Sequence, residues 1–139
     1  MTGVRRWAAA LHRRARPDRG DASIQMAIVF PFVIVLVIAV AQVAMQLHAR
    51  NIALTAAREG VLAGRTYQSS PGDGAARARV ALGRLAGDSL HNPGVSTAGT
   101  TTDTMRVTVT GTAVSLLPGI SGRRISQSAT GPRERWTAP

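Results

Sequence analysis

Lysine and cysteine are both absent from the 139 residues, and only five side chains are aromatic. Without cysteine there is no disulfide staple and no thiolate to hold a metal. With so few aromatics, any hydrophobic core must be small and built from aliphatic groups. Every basic residue is Arg, a bias shared with the abundant Ala, Gly, Val and Thr, so it reflects composition more than function. Acidic residues number only seven against seventeen Arg, giving a net charge of +10. That total would suit a nucleic-acid binder. The distribution argues against one, because half of the excess falls in residues 1–20 and the rest is scattered. No nucleic-acid partner is expected. His12, His48 and His91 lie in separate segments, and no nucleophile elbow or phosphate loop is present. The expectation is a protein that is not an enzyme and has no cofactor, catalytic residue or metal.

What the sequence does have is a long uncharged stretch. No Asp, Glu, Lys or Arg occurs from Ala22 to Ala49, and Ala27–Ala41 (AIVFPFVIVLVIAVA) is apolar throughout. As a helix, Ile24–Leu47 would run roughly 36 Å, enough to cross about 30 Å of hydrocarbon with some tilt. Pro31 removes one backbone donor and is expected either to bend that helix or to mark its start. Six arginines (Arg5, Arg6, Arg13, Arg14, Arg16 and Arg19) precede the stretch, and Arg50, Arg58 and Arg65 follow it. The bias of positive charge toward the cytoplasm then predicts a cytoplasmic N-terminus and an exterior C-terminal region. The expected organisation is a basic leader or arm over 1–20, a transmembrane helix over 21–47 and an exterior region over 48–139. The competing reading is a small secreted protein, released by cleavage after Ala41 in the Ala39-Val40-Ala41 pattern.

Helical character continues past the span. Leu47, Leu54 and Val61 recur every seven residues, beside a stripe of Met45, Ala49, Ile52, Ala56 and Ala63. Small residues repeat at four-residue spacing in Ala49-Ala53-Ala57 and Ala56-Gly60-Gly64, which lets another helix backbone approach closely. Ser70-Pro71-Gly72-Asp73 starts a second helix, with Ser70 as cap and Asp73 three residues on. Its apolar face is read as Ala75, Ala78, Leu82 and Leu85, closed by Gly87 and Asn92-Pro93-Gly94. The period then changes to two. Thr104–Thr110 alternates as a strand, Gly111 reads as a bulge, Thr112–Leu117 as a second strand or an extension, and Ile125, Gln127 and Ala129 as a last strand. Trp136 is a candidate anchor. The expected fold is α+β: a long N-terminal transmembrane helix continuing into an exterior helix, a second short helix and a small antiparallel sheet. Few large apolar residues lie beyond Tyr67, so packing against residues 42–65 is expected to be essential.

Two segments, RGDASIQMAIVFPFVIVLVIAVAQ and ARNIALTAAREGVLAGR, together resemble the TadE-like proteins of tight-adherence pilus systems. The resemblance rests on Arg19-Gly20, the early Pro31, and Ala57-Arg58-Glu59-Gly60 followed by Arg65. It implies a membrane-anchored minor pseudopilin or assembly factor whose partners are other pilin-like or Tad-type subunits. It also implies a processing site for a prepilin peptidase between Gly20 and Asp21. The family's Glu-Phe pair is replaced by Gln25-Met26. Gln25 keeps hydrogen bonding without charge; an ionised Glu within the bilayer would cost up to about 3 kcal/mol.

Overall fold

The computed structural model of the chain describes residues 19–135. Arg5, Arg6, Arg13, Arg14, Arg16, His12 and Trp136 lie outside the described residues. The chain divides between Ile38 and Ala39 into two compact units. Five elements follow one another: α1 (Arg19–Gly64), α2 (Pro71–Leu85), β1 (Leu90–Ser96), β2 (Thr104–Ala113) and β3 (Arg124–Pro132). The architecture is α+β, as the change from long apolar run to alternating pattern predicts.

The first unit contains the opening half of α1. Helix α1 over Ser23–Gly64 is long and apolar enough to cross a membrane, and none of its apolar window is buried within the protein. Ile28, Phe30, Phe32 and Val35 are all exposed, Phe32 by 73%. The helix begins at Arg19 and continues through Pro31, so the proline does not mark its start. Pro31 has no N–H to give, and the Ala27 carbonyl four residues back loses its usual partner. The helix survives because a single missing donor leaves the flanking bonds of the ladder intact.

The second unit holds the remaining half of α1, together with α2 and the sheet. Ala49, Ala53, Ala56, Ala57 and Ala63 favour helix here. Past Gly64 the Arg65 N–H still reaches the Val61 carbonyl at 2.9 Å, and the Thr66 hydroxyl donates to the Ala63 carbonyl at 3.0 Å. Gln68 then turns the chain with a φ of 65°. The expected capping box opens α2. The Asp73 N–H donates to the Ser70 hydroxyl oxygen (3.2 Å) and the Ser70 N–H to Asp73 Oδ2 (2.8 Å). Helix α2 buries Gly74, Ala75, Ala78, Ala81 and Leu82. Leu85, expected on that face, is exposed; Ala86 closes the buried row instead.

The sheet is an antiparallel meander of order β1-β2-β3. Met105, Val107, Val109, Gly111 and Ala113 of β2 point inward and alternate with more exposed residues. Met105, Val107 and Val109 are fully buried, each worth roughly 1.5–3 kcal/mol. They join Ala49, Ile52, Ala53, Ala56, Ala57 and Val61 of α1 in one core. Of the row at seven-residue spacing only Val61 packs: Leu47 is exposed and Leu54 only half-buried.

Three strand expectations need correction. Asn92-Pro93-Gly94 does not close α2 but lies within β1, a strand the sequence reading missed. The register slips between His91 and Gly94, leaving Asn92 and Pro93 opposite Gly111 alone. The bulge is therefore in β1, an edge strand where proline is tolerated, and Gly111 belongs to the regular strand facing it. Glycine is required at 111 because a Cβ there would come within 2.6 Å of Leu90. Thr112 and Ala113 extend β2, but Val114–Leu117 is loop: the β2 ladder to β3 runs out at Thr112↔Arg124.

Candidate functional site

The segment Ala57-Arg58-Glu59-Gly60 and the nearby Arg65 lie in the last three turns of α1 and at its end. Glu59 sits opposite α2. Arg77 and Arg84 of α2 are seven residues apart, two helical turns on one face, so both reach a single carboxylate. Each guanidinium lies 3.2 Å from Glu59 Oε2. All three side chains are partly exposed, so each pair contributes at most about 1 kcal/mol and weakens with salt.

The crossing itself is set by glycines. A Cβ on Gly60 would lie 2.7 Å from the Gly74 carbonyl oxygen, 3.0 Å from Ala78 and 3.2 Å from Val107. At Gly64 a Cβ would meet the Met105 methyl at 2.6 Å and the Gly74 Cα at 3.2 Å. The helices thus approach backbone to backbone, and the Met105 thioether fills the niche left between Gly64 and Gly74. All six small residues of the expected packing stripe (Ala49, Ala53, Ala56, Ala57, Gly60 and Gly64) are buried. What covers Gly60 and Gly64 is the chain's own α2 and β2. Gly74 was missed from sequence, although it stands four and eight residues before Ala78 and Leu82, on their face.

Arg58 and Arg65 do not join Glu59. With Val61, Leu62 and the end of β3 (Ala129–Pro132) they line an open, largely apolar groove of about 320 Å³. The Arg65 carbonyl accepts from the Glu134 N–H at 2.9 Å, which ties the segment after β3 to the end of α1. Among the described residues neither Arg58 nor Arg65 makes an ion pair. The residues Arg58, Glu59, Gly60 and Arg65 are thus divided between two faces. Glu59 and Gly60 serve the contact with α2, and the two arginines border a surface groove.

Gly20 and Asp21 lie in the first turn of α1 and Gln25 in the second, where its side chain is exposed. At the other end of the apolar run, Gln42 has a role the sequence did not reveal. Its Nε2 donates to the Val114 carbonyl (3.2 Å), and its Oε1 accepts from the Leu116 N–H (2.8 Å). Outside α1, Asp73 has its carboxyl held below the usual aspartate range. The chief cause is the Ser70 backbone N–H, followed by the Ser70 hydroxyl; burial opposes them weakly. Among the described residues no three His, Asp or Glu side chains gather closely enough for a metal ion.

No curated protein and no solved structure matches the chain. Residues 20–62, all within α1, match the family of TadE-like proteins.

Proposed function

We propose that the chain is a membrane-anchored minor pseudopilin or assembly factor of a tight-adherence type pilus or secretion system. The observation carrying this reading is that the family match takes in both the apolar half of α1 and the Arg58-Glu59-Gly60 segment. An anchor alone would need only the former. In this reading α1 crosses the cytoplasmic membrane once, with the arginine-rich N-terminus inside and the second unit outside. The partners are other pilin-like or Tad-type subunits, and the role is structural rather than enzymatic. Deleting the chain from its host should abolish surface pili or the dependent secretion, and supplying it again should restore them. Unchanged piliation and secretion in the deletion strain would reject the role.

The N-terminus separates the routes within this reading. Cleavage by a prepilin peptidase leaves Asp21 first and discards five of the ten net positive charges. An intact leader means a permanently anchored assembly protein. Gln25 favours the anchored form, since it offers a neighbouring subunit's amino group a hydrogen bond but no charge. The alternative, secretion after Ala41, has one observation in its favour: the second unit begins at Ala39, so a chain starting at Gln42 keeps nearly all of it. Mass spectrometry of the mature N-terminus distinguishes Met1, Asp21 and Gln42.

A further inference from the structure

The loop between β2 and β3 is unusual for one outside a core. Leu116, Leu117 and Ile120 are all exposed, and Arg123 and Arg124 follow after Ser121-Gly122. The loop is not slack. The Ile120 N–H donates to the Leu117 carbonyl at 3.2 Å, and Gly119 between them has a φ of 80°. With Pro118 before it, this is a type II turn that sets Leu117 and Ile120 side by side. Gly122 approaches the Ala113 carbonyl so closely that no side chain fits, and the Ala113 N–H donates to the Arg123 carbonyl at 2.9 Å. An apolar pair is thus held outward on a fixed turn.

Its position along α1 gives the pair a partner. Gln42, which binds the loop at Val114 and Leu116, is the first residue after the apolar run. The opposite end of the unit is tied to Arg65, about 35 Å further along the helix. The β2–β3 loop is therefore at the level where the apolar run ends, and the β1–β2 turn is remote from it. Loop backbone cannot lie in hydrocarbon exposed to lipid. The boundary must then fall near Ala41 and Gln42 rather than at Leu47, and Ile24–Ala41, roughly 27 Å as a helix, still fits the span.

We propose that residues 116–124 form an interfacial anchor on the membrane that α1 crosses. Leu116, Leu117 and Ile120 enter the boundary between headgroups and acyl chains, while Arg123 and Arg124 engage anionic headgroups. Gln42 is the hinge pin of this arrangement, because its amide would otherwise be left unpaired at the edge of the hydrocarbon. The proposal rests on the anchored reading of the chain given above.

The natural absence of cysteine makes the test direct. Leu117→Cys, Val35→Cys and Thr101→Cys are each labelled with an environment-sensitive fluorophore. The full-length chain is then reconstituted in vesicles of phosphatidylethanolamine and phosphatidylglycerol containing brominated lipid. With bromines near the headgroup, the probe at 117 should be quenched at least about twofold, and the probe at 101, in the remote β1–β2 turn, hardly at all. With bromines deep in the acyl chains, the probe at 35 should be quenched most. A quenched probe at 35 beside an unquenched one at 117 overturns the interfacial anchor and leaves the membrane span standing. An unquenched probe at 35 overturns both. Arg123→Gln with Arg124→Gln should reduce quenching at 117 in the anionic vesicles without changing it at 35; equal quenching at 117 would remove the arginines from the proposal.

Discussion

The two halves of helix α1 use opposite chemistries. From Ile24 to Val37 the side chains are mostly large and branched, and every one is exposed. From Ala49 to Gly64 the buried positions are mostly Ala and Gly, and Ile52 and Val61 are their only branched members. Among the described residues, apolar bulk marks the half whose side chains are exposed, and smallness marks the half whose side chains are packed. A hydropathy profile alone inverts this, since it scores the exposed half as the stronger core. A membrane span would accept any apolar shape, whereas a backbone-to-backbone crossing accepts only residues with little or no side chain.

The largest effect should come from swelling the second half. Gly60→Val places a branched side chain against the Gly74 carbonyl and Ala78. It should destabilise the second unit by about 3 kcal/mol or more, measured by urea unfolding of the full chain in detergent. Val35→Phe, an enlargement in the first half, should leave the unfolding curve where it was. If both variants unfold alike, the contrast between the halves is wrong.

Gly83→Ala sharpens the same point with opposite sign. Gly83 is also a helical glycine, but a Cβ there meets nothing within 4 Å. Replacing it should stabilise the unit by roughly 1 kcal/mol, the ordinary gain in helix propensity, visible as a higher melting temperature. A loss of stability would mean that α2 uses that face for packing after all.

Glu59→Gln should cost less than about 1 kcal/mol, because Arg77 and Arg84 are about half exposed. The difference from the native chain should shrink as salt is added; a difference that persists in high salt would show that charge is not its source. The smallest effect lies at the cap of α2. Asp73 should titrate below the ordinary aspartate value of about 3.9 when followed by NMR. Because its pKa is lowered on folding, its contribution is present above the unfolded value and fades as pH falls through the folded one. Ser70→Ala should bring the pKa only part of the way back, since the Ser70 backbone N–H remains. A full return to the ordinary value would assign the shift to the hydroxyl alone.

Much of this was legible in the residues. The apolar run, the Ser70–Asp73 box and the alternation of β2 each carry a local signal strong enough to stand without tertiary help. Strand β1 does not, because Asn92-Pro93-Gly94 reads as a breaker until its pairing with β2 shows a bulge at that point. Leu47, Leu54 and Val61 recur every seven residues, yet only Val61 of the three is buried, and most of the burial follows the small residues beside them. Glu59 and its two arginines are far apart in sequence, as are Gln42 and the β2–β3 loop, and no periodicity links such partners. For the candidate site, the motif residues were identified, but their division between a helix contact and an open groove required coordinates.

The Met105 niche has a chemical consequence. Its sulfur is sealed beneath Gly64 and Gly74, with the Thr100 hydroxyl 3.7 Å away, and the residue has no exposed surface. An oxidant can reach it only when the packing around it opens, so its rate of sulfoxide formation in dilute peroxide acts as a clock for that opening. The reaction also works as a latch. A sulfoxide is larger and polar, and a cleft shaped by two glycines for a bare thioether cannot close over it again.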